Sequence, residues 1–146
     1  MRSMRVRIGI GLLFAIGCGT SFVLGRAAQA TEPGTVLRSK TGNQLRMLLD
    51  KSRLGSSEVS IAEITLPAGT TTAAHTHGAL EILYVVSGEL QHVVNGKTYI
   101  VKPGMLGFVK PPDMVQHIVG PGGPTKLLAI WVPGDEGARI AENWER

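Results

Sequence analysis

From Gln44 onward the chain alternates between apolar and polar residues with a period near two, broken at short intervals by Gly, Pro and Asn. Glu58 to Leu66 alternates most clearly, the pattern of a half-buried strand, and Pro67-Ala68-Gly69 stops it. Leu45–Asp50, Ala79–Val86, Glu89–Val94, Thr98–Lys102, Leu106–Lys110, Gln116–Val119 and Lys126–Val132 read as further strands. Ser87-Gly88 and Pro103-Gly104 supply turns between them. Asn95-Gly96 predicts a tight hairpin, because both residues tolerate the positive φ angles of a type I′ turn. No helical period stands out before the tail that follows Asp135. About eight short strands with frequent turns predict one all-β domain, an antiparallel sandwich or barrel. Few aromatics are present, so Leu, Ile and Val must fill most of its core.

The first thirty residues follow a different rule. Three arginines lie within Met1–Arg7, an apolar run of 18 residues extends from Ile8 to Gly25, and Ala28-Gln29-Ala30 closes the segment. A basic start, an apolar middle and a small-residue end are the parts of a secretory signal peptide, with cleavage expected after Ala30. The mature protein is then secreted or periplasmic and meets the membrane only through this leader. Two alternatives stand beside that reading. Eighteen residues at about 1.5 Å each could just cross a hydrocarbon core of roughly 30 Å as a retained anchor, although five glycines weaken such a helix. Cys18, the single cysteine, could instead mark a lipoprotein, with Ala15 where a leucine is usual.

Net charge is +4, but Arg2, Arg5, Arg7 and Arg26 all lie in the leader, leaving 11 basic against 11 acidic residues in residues 31–146. A neutral domain with no basic cluster has no electrostatic footprint for nucleic acid. The expected layout is a leader over 1–30, an N-terminal arm over 31–44 with one short strand, a barrel over 45–133 and a tail over 134–146.

Candidate chemistry concentrates in Gly69-TTTAA-His75-Thr-His77-GAL-Glu81-ILYVVS-Gly88. Two residues apart on an extended strand, His75 and His77 project to the same face. Gly78-Ala79 bends the chain, and Glu81 opens a return strand from which it can approach the same space. Two neutral imidazoles and a carboxylate suit a divalent ion such as Fe(II), Mn(II), Ni(II), Cu(II) or Zn(II). An isolated His-x-His pair is more often a solvent-facing one, and Glu81 alone could be an ordinary ion-pair partner, so the spacing of the whole stretch decides.

That stretch resembles, at all five fixed positions, the first motif of the cupin superfamily, G-x5-H-x-H-x3-E-x6-G, met here by Gly69, His75, His77, Glu81 and Gly88. Gly104 to Pro121 resembles the second motif, G-x5-P-x-G-x2-H-x3-N, less regularly. Pro112 and His117 keep the proline-to-histidine distance, whereas Met114 replaces the glycine, Pro121 replaces the asparagine, and Gly104 lies two residues too far upstream. A bulge or widened turn near Lys110-Pro111-Pro112 could absorb the excess. The resemblance spans roughly Leu45–Val132. It implies a small single-domain cupin with a jelly-roll (double-stranded β-helix) barrel, a divalent metal held by His75, His77, Glu81 and His117, and two or three coordination positions left open. Within the superfamily the chain most resembles the quercetin-dioxygenase-like group. A metal-dependent enzyme acting on a small organic molecule is the first functional expectation, and a periplasmic metal or ligand binder without turnover is the second. Small cupins also suggest a homodimer, expected here through pairing of N-terminal edge strands.

Outside the motifs, no second carboxylate or lysine is clearly in the site. Thr70, Thr72, Thr76, Tyr84 and Gln116 are the nearest polar groups, with Glu63 and Asp113 as outlying acids. His92 lies mid-strand and is expected to face solvent or a partner subunit, with pocket lining as the alternative. Tyr84, Phe108, Met105 and Met114 are expected to pack the barrel or its rim, and Trp131 its core. Trp144 either docks the tail or sits exposed.

Overall fold

A computed structural model describes residues 33–146, so the expected leader, its expected cleavage site and Cys18 lie outside the described residues. Ten strands and two short helices follow in order: β1 (Val36–Arg38), β2 (Gln44–Leu49), α1 (Lys51–Leu54), β3 (Ser60–Leu66), β4 (His75–Thr76), β5 (Leu80–Ser87), β6 (Leu90–Val94), β7 (Lys97–Val101), β8 (Leu106–Val109), β9 (Met114–Ile118), β10 (Thr125–Val132) and α2 (Asp135–Ala141). Pairing is antiparallel throughout, in one sheet of order β1-β2-β3-β10-β5-β8 and another of order β4-β9-β6-β7. The two sheets close on each other as the all-β jelly-roll barrel anticipated above. No helix among the described residues is long and apolar enough to cross a membrane.

Local chemistry explains most element ends. Asn95 (φ 50°) and Gly96 (φ 79°) both take positive φ, and Val94 faces Lys97 across the two-residue turn, as the dipeptide predicts. α1 was not anticipated: Asp50 caps it by accepting from Arg53 N–H at 3.2 Å, and Gly55 ends it in the left-handed region. The irregular spacing after Gly104 is taken up by a turn over Lys110–Asp113, containing a cis Pro111–Pro112 peptide and an Asp113 N–H to Lys110 carbonyl bond of 2.8 Å, rather than by a bulge.

Three strands build the wall that matters for the site. Along β3 the inward row is Ser60, Ala62, Ile64 and Leu66, along β10 it is Thr125, Leu127, Ala129 and Trp131, and along β5 it is Glu81, Leu83 and Val85. Register places Trp131 directly beside Glu81. Period two therefore sends the carboxylate inward with the leucine and valine that follow it.

The same alternation corrects one expectation. Tyr84 and Phe108 do not pack the barrel: Phe108 is 65% exposed and Tyr84 38%, because the inward slots of β5 and β8 belong to Leu83, Val85, Gly107 and Val109. Met105 and Met114 are exposed on the rim. Trp131 is fully buried, as expected, and Trp144 packs partly against the core. Truncating a filled core position leaves a cavity, whereas truncating an exposed ring does not. Leu83→Ala should cost about 2–5 kcal/mol of stability and Tyr99→Ala, at a ring likewise exposed, about 0.5 kcal/mol or less, read by denaturant unfolding of the two variants side by side.

Candidate metal centre

Each expected donor arrives on a different part of the frame. β4, two residues long, carries His75 and is held against β9 by the pairs His75–Val115 and Thr76–Met114. β9 in turn carries His117 on its buried face beside Val115. The loop ahead of β4 is clamped to the same strand: His117 N–H donates to Thr72 Oγ1 at 2.9 Å, Thr72 N–H donates to the His117 carbonyl at 2.9 Å, and Gln116 Nε2 donates to the Thr72 carbonyl at 2.8 Å. Glu81 comes from the opposite sheet. The barrel closure thus brings together all four residues picked out along the chain.

Their donor atoms point at one another. His75 Nε2 lies 3.2 Å from His77 Nε2, His77 Nε2 lies 3.2 Å from Glu81 Oε2, and His117 Nε2 lies 3.9 Å from Glu81 Oε2. On their far sides two of the rings are anchored. His75 Nδ1–H donates to the Ala73 carbonyl at 2.9 Å, and His77 Nδ1–H donates to Glu136 Oε1 at 3.0 Å. Glu81 Oε1 accepts from Trp131 Nε1–H at 2.9 Å. What is left is unpaired: Glu81 Oε2 and His117 Nε2 are buried with no hydrogen-bond partner. Among the described residues, no group of three or more His, Cys, Asp or Glu is set at metal-holding geometry.

Electrostatics follow from burial and from the nearness of these groups to one another. Burial opposes ionisation of Glu81, but the nearby His77, the His117 imidazole and the Trp131 N–H outweigh it and hold its pKa below the usual carboxylate value. His77 is disfavoured as a cation by burial, yet its two carboxylate neighbours win and raise its pKa. His117 goes the other way, to about 4: burial dominates, Glu81 only partly offsets it, and the charges of the other three histidines oppose its protonation.

Three side chains were missed or misplaced in the sequence. His92, expected to face solvent or a partner, is 2% exposed, stacked on His117 with ring centroids 5.3 Å apart and planes 13° apart, and donates Nε2–H to the Phe108 carbonyl at 3.1 Å. Alternation with the buried Leu90 on the same strand carried that information. Glu136 and Arg139 come from α2, where no motif marks them. The outlying acids are not in the site: Glu63 pairs with Lys126 at 3.3 Å on the outer face, and Asp113 accepts from Asn95 Nδ2 at 2.8 Å in a turn. Tyr84 points outward and cannot donate into the barrel.

A cavity of about 310 Å³ opens onto the four donors. Ile64, Leu66, Leu127 and Trp131 make its apolar walls, while Thr72, Thr76, Asn43, Asn143 and Arg139 supply polar groups.

His117 yields a prediction with a defined sign. Its folded pKa of about 4 lies below the ordinary 6.5, so the unfolded chain binds more protons between those values and metal-free stability falls as pH drops from 6.5 to 4. The shift corresponds to an effect on the order of 3 kcal/mol. His77, with its raised value, acts oppositely but above pH 6.5, where stability is lost as pH rises, so the contrast between proteins below 6.5 is the readout. Thermal unfolding of metal-free His117→Gln should lose less stability than wild type over that window.

Residues 62–133 match the cupin domain family model. No curated protein matches the chain. Among solved structures, KdgF from Halomonas sp. superposes with a TM-score of 0.60 at 15% identity, covering 68% of this chain and 86% of that one. An RmlC-like cupin from Shewanella frigidimarina NCIMB 400 superposes with a TM-score of 0.59 at 23% identity, covering 74% and 88%. A predicted oxalate decarboxylase from Thermotoga maritima gives 0.57 at 24% identity, covering 70% and 93%. Identities this low establish a shared fold and nothing about substrate.

Proposed function

We propose that this chain, a member of the cupin superfamily, is an exported metal-binding protein in which His75, His77, Glu81 and His117 hold one divalent transition metal, and that it acts as a metal-dependent, dioxygenase-like enzyme on a small organic molecule. The observation that carries the metal reading is the pair of buried orphan atoms, Glu81 Oε2 and His117 Nε2, within a ring of inward-facing nitrogens. An unpaired buried carboxylate oxygen is costly, and a cation among the four donors removes that cost. The donor set suits such an ion: cis ligands about 2.1 Å from one centre stand about 3 Å apart, close to the 3.2 Å of two of the pairs.

A bound ion would supply Lewis acidity or oxygen activation. The chain's own residues do the rest. Trp131 pins one oxygen of Glu81 and leaves the other facing the rings. The Ala73 carbonyl keeps the proton of neutral His75 on Nδ1, so Nε2 is free to donate. Apolar walls limit water and take the body of a small ligand, and Thr72 and Thr76 offer hydroxyls near the donors. No further proton-transfer group lines the cavity. That absence among the described residues favours a second reading, a binding protein without turnover.

Elemental analysis of protein loaded with Fe, Mn, Ni, Cu or Zn should find close to one ion per chain, and His77→Ala should lose most of it. Unchanged metal content in that variant sinks the ligand assignment. Oxygen consumption by the loaded protein across a small-molecule panel separates the two readings: substrate-dependent uptake marks an enzyme, and tight zinc with no uptake marks a binder.

Export rests on the basic–apolar–small pattern of the first thirty residues, and N-terminal sequencing of secreted protein should begin at Thr31. We also propose a homodimer, with its contact displaced from the N-terminal strands. The outer edge of β1 is already taken at Arg38, which exchanges backbone hydrogen bonds of 2.7 and 2.8 Å with Glu145. Ile82, Tyr84, Val86, Leu106 and Phe108 instead form an uncharged, largely apolar face on β5 and the sheet-edge strand β8. A second copy fits it because a twofold would set no like charges against each other. Light scattering should give a dimer for wild type and a folded monomer for Phe108→Asp; a monomeric wild type rejects the dimer.

A further inference from the structure

Behind His77 stands a carboxylate that belongs to neither motif. Glu136 lies in the first turn of α2 and is 6% exposed. Its Oε1 accepts from His77 Nδ1–H at 3.0 Å, and its Oε2 accepts from Arg139 Nε–H, one helical turn on, at 2.8 Å. The helix that delivers it is seated without slack. A Cβ on Gly137 would fall 2.2 Å from Ser60 Oγ and 2.9 Å from Trp131 Cε3, and one on Gly134 would fall 2.4 Å from the Val59 carbonyl carbon. Only glycine at these positions lets α2 approach β3 and β10 so closely. Gly78 leaves room on the other side, where a Cβ would stand a tight 3.1 Å from Glu136 Oε2.

We infer that Glu136, pinned by Arg139, is a positioning residue that fixes the proton of His77 on Nδ1 and so keeps the Nε2 lone pair aimed into the donor cluster. The inference rests on the metal reading above for its purpose, though not for its geometry. Neutral imidazole has one proton for two nitrogens, and two carboxylates compete for it: Glu136 at Nδ1, and Glu81 at Nε2 from 3.2 Å. Should the proton settle on Nε2, it would occupy that nitrogen and tie up Glu81 Oε2, removing two donors at once. Glu136 prevents this, and Arg139 keeps the carboxylate in place and offsets its charge. The C-terminal helix thereby becomes part of the site rather than a trailing segment, in the manner of the outer carboxylates that orient metal-binding histidines.

Long-range 1H–15N NMR of the histidine rings reads the proton position directly. In wild type, both zinc-loaded and metal-free at a pH above the ring's titration, His77 should carry its proton on Nδ1. In metal-free Glu136→Ala at that pH the proton should move to Nε2, and zinc affinity, by chelator competition, should fall about 10–100-fold. Glu136→Gln, whose amide oxygen can still accept from Nδ1–H, should keep the Nδ1 proton and most of the affinity, which a merely structural role for the helix would not predict. A wild-type proton on Nε2, or an unchanged tautomer or affinity in Glu136→Ala, overturns the proposal. A wild type that takes up none of zinc, iron, manganese, nickel or copper overturns the metal reading instead, and the metal-free proton position still decides this one.

Discussion

Glu81 is a carboxylate 3% exposed, at the end of an inward row otherwise made of Leu83 and Val85. Placing a charge there is expensive unless every neighbour answers it. The barrel answers with an indole N–H from the adjacent strand, the His117 imidazole from the opposite sheet, the His77 imidazole from the β4–β5 connection and a cavity that opens on the remaining oxygen. Much of the site can be understood as the set of groups that makes this one burial tolerable.

The frame serves that purpose through ordinary sheet geometry. β10 is the centre of the larger sheet, flanked by β3 and β5, so its inward Trp131 is both a core residue and the hydrogen-bond donor to Glu81. β9 plays the corresponding part in the smaller sheet, bearing His117, pairing with the strand of His75 and anchoring the Thr72 loop. Strain or loss in either central strand would therefore disturb core and site together. α2 closes the arrangement from outside, resting on β3 and β10 and reaching His77 through Glu136.

The strand pattern, the Asn95-Gly96 hairpin and the inward course of Glu81 were legible because each depends on neighbours within a few residues. His92 was legible in principle, since it alternates with Leu90, but without the barrel closed its stack on His117 could not be seen. Tyr84 and Phe108 show the limit of reading hydrophobicity as burial. Both are apolar enough for a core, and both are placed outside because β5 and β8 had already committed their other face inward.

By itself the sequence determined which segments are strands, where they turn, and that His75, His77 and Glu81 lie close enough along the chain to reach one space, though the structure sets His75 and Glu81 on different sheets. Those are local properties, set by side-chain period and backbone preference. Only the tertiary structure decided what surrounds them: that His117 meets Glu81 across the barrel, that Trp131 supports the carboxylate from 50 residues away, and that Glu136 reaches His77 from 59. No periodicity encodes such contacts, because they exist only after two sheets and a helix have packed together.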